Sequence, residues 1–137
     1  MARLTVRIDI EERAAFGPGK ARLLELIEET GSIRSAATAM DMSYRRAWLL
    51  VHEMQEIMNA PVVAGRTGGA NGGGASLTKT GKAVLAYYRT IEVRATRAAV
   101  AQLRALSNLA KGEKKLPVSS RSREASGRAR SFKRRKQ

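Results

Sequence analysis

Two adjacent arginines, Arg45 and Arg46, carry the clearest chemistry in this chain of 137 residues. A guanidinium group can donate two hydrogen bonds to the O6 and N7 atoms of guanine, or it can clamp a phosphate group. Tyr44 comes directly before the pair, and Trp48 follows it closely. The segment therefore predicts contact with nucleic acid, whereas an arginine pair taken alone is about as often a solvated surface.

The residues predicted to contact DNA lie on two neighbouring predicted helices and on the glycine-rich segment that follows them. They are Arg34, Ser35, Ser43, Tyr44, Arg45, Arg46, Trp48, Arg66 and Thr67. Leu49 and His52 share the outward face of the second of these helices. For Trp48, packing against the glycine-rich segment or the last helix is an equally good interpretation, because aromatic side chains usually serve packing. His52 is interpreted as a surface imidazole.

The composition excludes several other kinds of site. The chain has no cysteine and one histidine, which excludes disulfides, thiolate zinc sites and sites built from several histidines. Asp41, Glu53 and Glu56 lie on or near one predicted helix, but no matched acid, base and nucleophile accompany them. The glycine-rich segment lacks the terminal Lys-Ser/Thr of a nucleotide-hydrolase loop. We therefore predict a binding protein that is not an enzyme and that has no metal site.

The positive charge is concentrated towards the end of the chain. The formal net charge is +14, and residues 111–137 contain 11 Lys and Arg against 2 Glu. This segment has few apolar residues, so we expect a disordered basic tail that binds polyanions, or otherwise a solubilising tail without a partner. No apolar run approaches the roughly 18 residues of a membrane span. The first residues show no secretory signal, so we expect a cytoplasmic protein with no membrane partner.

Hydrophobic spacing predicts the elements that hold the candidate residues. Alternating apolar residues predict a strand over 4–10, and a polar turn over 11–17 follows. Spacing of three and four residues predicts a first helix that follows a turn at Gly17-Pro18-Gly19 and runs to Thr30, and two more helices over 33–40 and 44–58. A glycine ends the first, and a serine caps each of the others. The inward face of the third helix is expected to consist of Ala47, Leu50, Val51, Met54 and Met58.

A hairpin and a long helix complete the pattern. Two short strands at 62–64 and 75–77 enclose GRTGGANGGG, which predicts a hairpin with a flexible loop. A helix over 79–109 would be about 45 Å long, which is more than so small a domain can cover. Its apolar stripe consists of Val84, Tyr88, Ile91, Ala95, Ala99, Leu103 and Leu106. Such a stripe is covered most simply by a second copy of the chain, which predicts a homodimer.

Taken together, the elements predict a mainly α fold with a small β hairpin. Two capped helices joined by a tight turn and followed by a hairpin are typical of a winged helix-turn-helix. We expect three regions: a DNA-binding domain at 1–78, a dimerisation helix at 79–110 and a basic tail at 111–137.

The same residues carry a resemblance to a known family. GPGKARLLELIEETGSIRSAATAMDMSYRRAW and the later GRTGGANGGGASLTKTGKAVL resemble the N-terminal domain of ModE-type molybdate-responsive regulators, and more distantly LysR-type regulators. The resemblance covers about residues 3–109 and implies a bacterial, homodimeric, DNA-binding regulator that acts at the nucleoid. In that family molybdate binds in C-terminal β-rich domains. This chain has the basic tail in their place, so we expect no cofactor.

We therefore predict a sequence-specific regulator of transcription that binds double-stranded DNA. In this prediction the helix at about 43–58 enters the major groove, and the glycine-rich wing lies on the backbone. The main alternative is a nucleoid-associated, architectural protein without defined operators. A basic protein that binds RNA is a weaker alternative, since the chain lacks an aromatic platform for stacking single-stranded bases.

Overall fold

The computed structural model describes residues 1–66 and 74–112 of the chain. The elements follow one another in this order: β1 (Ile8–Ile10), β2 (Ala14–Phe16), α1 (Pro18–Thr30), α2 (Ile33–Ala39), α3 (Tyr44–Met58), β3 (Val63–Arg66), β4 (Gly74–Leu77) and α4 (Lys79–Gly112). This arrangement confirms a mainly α fold with small β hairpins. The predicted contact at Thr67 and nearly all of the predicted basic tail lie outside the described residues.

The N-terminal strand is shorter than predicted and pairs with a strand that the sequence pattern did not indicate. β1 begins at Ile8, not at Leu4, and runs antiparallel to β2 with Ile8 opposite Phe16. The prediction of a polar turn over 11–17 was wrong in its second half, because β2 occupies residues 14–16. Its Phe16 side chain is buried in the core, which explains why this short segment is held as a strand.

The end of the first helix and the start of the second lie where the capping residues predicted. Gly31 ends α1 in the left-handed conformation, with φ of 76°, and its N–H donates to the Ile27 carbonyl. Ser32 then caps α2, because its hydroxyl accepts a hydrogen bond from the Ser35 N–H at 2.9 Å. α2 ends one residue before the predicted Met40.

The third helix has the predicted bounds. The Ser43 hydroxyl accepts from the Arg46 N–H at 3.1 Å, and Asn59 ends the helix in the left-handed conformation. Ala47, Val51 and Met54 are buried. The other two residues of the predicted inward face, Leu50 and Met58, are partly buried against the same core.

The predicted hairpin is present with shifted strand bounds. β3 begins at Val63, one residue later than predicted, and pairs with β4 so that Val63 lies opposite Leu77. Val62 lies outside the strand, and its carbonyl accepts the Thr78 N–H at 3.0 Å. The Thr78 hydroxyl accepts from the Gly81 N–H at 3.1 Å, which confirms the predicted cap of the last helix. α4 ends at Gly112, three residues after the predicted end.

One residue of the predicted dimer stripe belongs to the core of the protein itself. The Tyr88 side chain is 1% exposed and packs edge-on against Phe16, with ring centroids 5.1 Å apart. Its hydroxyl donates to the Val6 carbonyl at 2.7 Å. The expectation that Tyr88 lies at a seam between two copies is therefore corrected. Val84 is partly buried against the same core.

An ion-pair network joins α4 to α1. The Arg89 guanidinium donates to both carboxylate oxygens of Glu25, at 3.1 and 2.6 Å, and also to Glu92 at 2.6 Å. Hydrogen bonding to Arg89 holds the pKa of the Glu25 carboxyl below its usual value. Burial raises the pKa of the neighbouring Tyr88 hydroxyl.

The described residues divide into two compact units, one within Leu4–Ala98 and a second one formed by Met1–Arg3 with residues 99–112. In the second unit the Ala2 N–H donates to the Ser107 hydroxyl, Leu103 is buried and Leu106 is 58% exposed. The predicted region boundaries at 78 and 110 stay predictions. Among the described helices, none is both long enough and apolar enough to span a membrane.

Candidate nucleic-acid interface

The third helix presents its two sides to different environments. Successive residues of an α-helix are about 100° apart, so Arg45 and Leu49 lie roughly opposite the buried Ala47, Val51 and Met54. Both outward residues are exposed to solvent, as is the neighbouring Arg46. The first two turns of α3 therefore carry a basic and an apolar side chain on a face that is free to meet another molecule.

Three exposed side chains at the start of α2 and α3 are held together by direct contacts. The Arg34 guanidinium carbon lies 4.5 Å from the centre of the Tyr44 ring, within range of a cation–π interaction. The Trp48 indole N–H donates to the Tyr44 hydroxyl at 2.9 Å. Arg34, Tyr44 and Trp48, called the aromatic clamp below, thus connect the two helices of the predicted helix-turn-helix.

The aromatic clamp forms one wall of a groove that we call the wing groove. The groove has a volume of about 400 Å³, and residues of the β3–β4 hairpin form the opposite wall. Val51 also lines it, as does Gln55 on the next turn of α3. No acidic side chain is among the described residues that line it. A groove with this lining suits an anionic or neutral ligand better than a cation.

Arg46 lies apart from the wing groove. It lines a separate depression of about 290 Å³, together with Met40, Met42 and Leu50. The two adjacent arginines are therefore not equivalent, because Arg45 lies on the outward face of α3 while Arg46 flanks it on the side away from the hairpin.

The two carboxylates of α3 are paired with a residue of α1 and a residue of α3 itself. Lys20 is 9% exposed, and its ammonium group donates to the Glu53 carboxylate at 2.5 Å and to the Ala15 carbonyl at 2.6 Å. His52 Nε2 lies 3.1 Å from Glu56 on the next turn, where the imidazole is mostly exposed. This placement agrees with the interpretation of His52 as a surface residue. Both carboxylates lie beyond the first two turns, so the start of α3 keeps its positive charge.

The remaining predicted contacts occupy different positions. Ser35 and Ser43 are exposed at the starts of α2 and α3, where the Ser43 hydroxyl already accepts one hydrogen bond from the backbone. Arg66 lies at the end of β3, opposite Gly74. The structure does not describe Thr67, so the predicted contact there stays a prediction.

Sequence reasoning missed two residues that shape this surface. Gln55 lines the wing groove, and its side-chain oxygen accepts the Val62 N–H at 3.2 Å, which ties α3 to the start of the hairpin. Its separation of seven residues from Trp48 is a helical spacing that could have indicated a shared face. Lys20 was also missed, since a buried lysine cannot be recognised without its carboxylate partner.

Comparison with known proteins finds similarity to bacterial proteins named ModE and MopB. The chain is 37% identical over 93 residues to the molybdenum transport protein ModE of Azotobacter vinelandii, which covers 68% of this chain and 34% of that protein. It is 43% identical over 79 residues to the molybdenum-pterin-binding protein MopB of Rhodobacter capsulatus, covering 58% and 29% respectively. It is 31% identical over 87 residues to the DNA-binding transcriptional dual regulator ModE of Escherichia coli K12, covering 64% and 33%.

The chain spans about a third of the length of the curated relatives it matches. No family model matches the chain.

Proposed function

We propose that this chain is a ModE-related, sequence-specific regulator of transcription that binds double-stranded DNA and is not an enzyme. The observation that carries the proposal is the pairing of a serine-capped helix, α3, with an outward face formed by Arg45 and Leu49. Similarity to relatives named as transcriptional regulators supports it independently. A bacterial regulator of this kind acts on the nucleoid in the cytoplasm.

In this proposal α3 enters the major groove of DNA with its first two turns. Those turns hold Arg45 and Leu49 outward, and a groove of about 12 Å admits one helix. The Arg45 guanidinium reads a guanine edge, and the Leu49 side chain meets apolar base surface such as a thymine methyl group. The β3–β4 hairpin flanks the sugar–phosphate backbone, with Arg66 at the end of β3 opposite Gly74. Thr67 is proposed to contact the same backbone.

We further propose that the regulator is a homodimer formed through α4. The exposed members of the predicted stripe, Ile91 and Leu106, support this, since both place large apolar side chains in solvent in the isolated chain. Two copies related by a twofold axis would read half-sites about 34 Å apart, or a multiple of that distance, on a near-palindromic operator. In this organisation 1–78 binds DNA, 79–110 dimerises and 111–137 adds affinity for any duplex.

The names of two relatives refer to molybdenum, but we propose no molybdate site in this chain. The matched part corresponds to about a third of each relative. The proposal assigns this chain the DNA-binding part of the regulator's work and no cofactor.

Selection of bound sequences from a random duplex library, followed by footprinting of the selected site, tests the proposal. We expect one enriched, near-palindromic sequence and discrete protected segments. Arg45→Ala should weaken binding by about 1–3 kcal/mol at one operator position, while the matched control Arg97→Ala, an exposed arginine on α4, should not change the selected sequence. Continuous protection without enrichment would instead favour the architectural alternative, and absence of duplex binding would refute both.

A further inference from the structure

We infer that the wing groove is a binding site for one DNA phosphate group, and that the Tyr44 hydroxyl donates a hydrogen bond to this phosphate. This inference rests on the proposed function and assigns different residues of α3 to different parts of the DNA. Tyr44, positioned by Trp48, then contacts the backbone of the DNA, while Arg45 and Leu49 face the bases.

The hydrogen bond inside the aromatic clamp determines which way the Tyr44 hydroxyl is directed. An indole N–H is a donor only, so the Tyr44 oxygen is the acceptor in its 2.9 Å contact with Trp48. The hydroxyl proton must then be directed elsewhere. No other hydrogen bond found in the described part of the chain uses this hydroxyl, so Tyr44 offers an oriented donor at an exposed position. Trp48 acts as its positioning residue.

Arg34 makes the same location more attractive to an anion. Its guanidinium group stacks on the Tyr44 ring at 4.5 Å, and this contact leaves the N–H groups at the edge of the guanidinium plane available to donate hydrogen bonds. The ion pairs identified across residues 1–66 and 74–112 involve other arginines and lysines, and Arg34 takes part in none of them. A neutral donor and a cation therefore meet at one rim of the wing groove.

The lining of the groove favours phosphate over a base edge. A phosphate group only accepts hydrogen bonds, which suits a rim formed by two donors and free of described carboxylates. The opposite wall includes Gly65 and Gly74. A Cβ atom added at Gly65 would meet no atom within 4 Å, so a sugar–phosphate chain can approach this wall closely.

The central test compares Tyr44→Phe with Tyr87→Phe on the full chain. Tyr44→Phe removes one hydroxyl and keeps the ring on which Arg34 stacks. Tyr87 is 72% exposed on α4 and outside the wing groove, which makes its variant the matched control. We expect Tyr44→Phe to bind the selected operator and a random duplex about tenfold more weakly, by the same factor, and the control to bind like the wild type.

Salt dependence separates the two donors of the rim. A neutral hydroxyl releases no counterions, so Tyr44→Phe should leave the slope of log affinity against log salt concentration unchanged. Arg34→Gln should lower that slope by about 0.9. A reduced slope for Tyr44→Phe, or an unchanged slope for Arg34→Gln, would contradict the assigned roles.

Chemically modified DNA identifies the partner of Tyr44 directly. Replacing phosphates one at a time by neutral methylphosphonates should reveal one position per half-site where the wild type loses more affinity than Tyr44→Phe, because the variant has already lost the hydroxyl contact there and keeps only that of Arg34. In the same way, Trp48→Phe should add nothing to the loss caused by Tyr44→Phe. Additive losses, or a Tyr44→Phe defect confined to one base pair, would overturn the inference.

The outcomes also separate this inference from the proposed function. If the wild type protects a discrete operator while Tyr44→Phe binds like Tyr87→Phe, only the inferred phosphate-binding site is wrong. If the wild type binds no duplex, both are wrong. Thermal unfolding of each variant checks that a loss of binding is not a loss of folding.

Discussion

Replacing Gly81 by alanine should destabilise this protein, although alanine normally favours a helix over glycine by about 1 kcal/mol. Gly81 lies in the first turn of α4, where a Cβ atom would be 2.1 Å from the Val62 carbonyl oxygen and 3.0 Å from its carbonyl carbon. These atoms are backbone and cannot rotate away. Val62 is fully buried, and its carbonyl also accepts the Thr78 N–H, so moving it disturbs the core and a hydrogen bond together.

The expected magnitude follows from these two losses. Overpacking in a well-packed core costs about 1–3 kcal/mol, and a weakened hydrogen bond costs about 1 kcal/mol. After the gain in helix propensity is subtracted, Gly81→Ala should lower the free energy of unfolding by about 1–3 kcal/mol. Urea unfolding followed by circular dichroism, at fixed protein concentration, measures this change.

A second glycine provides the control for this prediction. Gly19 lies in the first turn of α1, and a Cβ atom there would meet no atom within 4 Å. Gly19→Ala should therefore be neutral or stabilise by up to about 1 kcal/mol. If the two variants changed stability in the same direction, the close approach of α4 to Val62 would not be the cause, and the reasoning would fail.

Three further predictions follow from single contacts. Hydrogen bonds to Arg89 lower the pKa of Glu25, so its contribution to stability is present above the ordinary carboxyl pKa and is lost as pH falls through the folded value. The difference in unfolding free energy between wild type and Glu25→Gln should therefore become smaller as pH falls below about 4.5. Urea unfolding measured from pH 7 to 3 tests this. Glu11 and Glu12 hold φ of 48° and 58°, so replacing them by Asn-Gly should raise the free energy of unfolding by about 1 kcal/mol, and a decrease would show that the strain is not there. Ser43→Ala removes the cap of α3 and should lower the melting temperature by an amount equivalent to about 1 kcal/mol, whereas an unchanged value would mean that water replaces the cap.

The helices could be predicted closely because their ends are determined locally. Ser32 and Ser43 each accept a backbone N–H three residues later, and Gly31 adopts a left-handed conformation that most other residues avoid. These interactions involve neighbours in the chain, so they can be recognised without knowledge of the tertiary structure. The outward position of Arg45 follows in the same way from helical spacing.

The second strand could not be predicted, because long-range contacts determine it. Residues 14–16 have no alternation long enough to indicate a strand, and Ala14 and Ala15 favour no β structure. They form β2 because Phe16 packs against Tyr88, which is far away in the sequence. The aromatic clamp was missed for a similar reason, since the cation–π contact joins Arg34 to Tyr44 across the turn between two helices.

The spacing of residues in an apolar stripe likewise does not show which surface covers the stripe. Tyr88 and Ile91 are three residues apart on α4 and belong to the same predicted stripe, yet the first is 1% exposed and the second 42%. The difference arises because the N-terminal segment reaches Tyr88 through the Val6 carbonyl. A period near 3.6 reports that one side of a helix is apolar, but it does not distinguish burial in the same chain from burial against a second copy. The proposed dimer surface therefore rests on Ile91 and Leu106, the large stripe residues that the isolated chain leaves exposed, and not on the stripe as a whole.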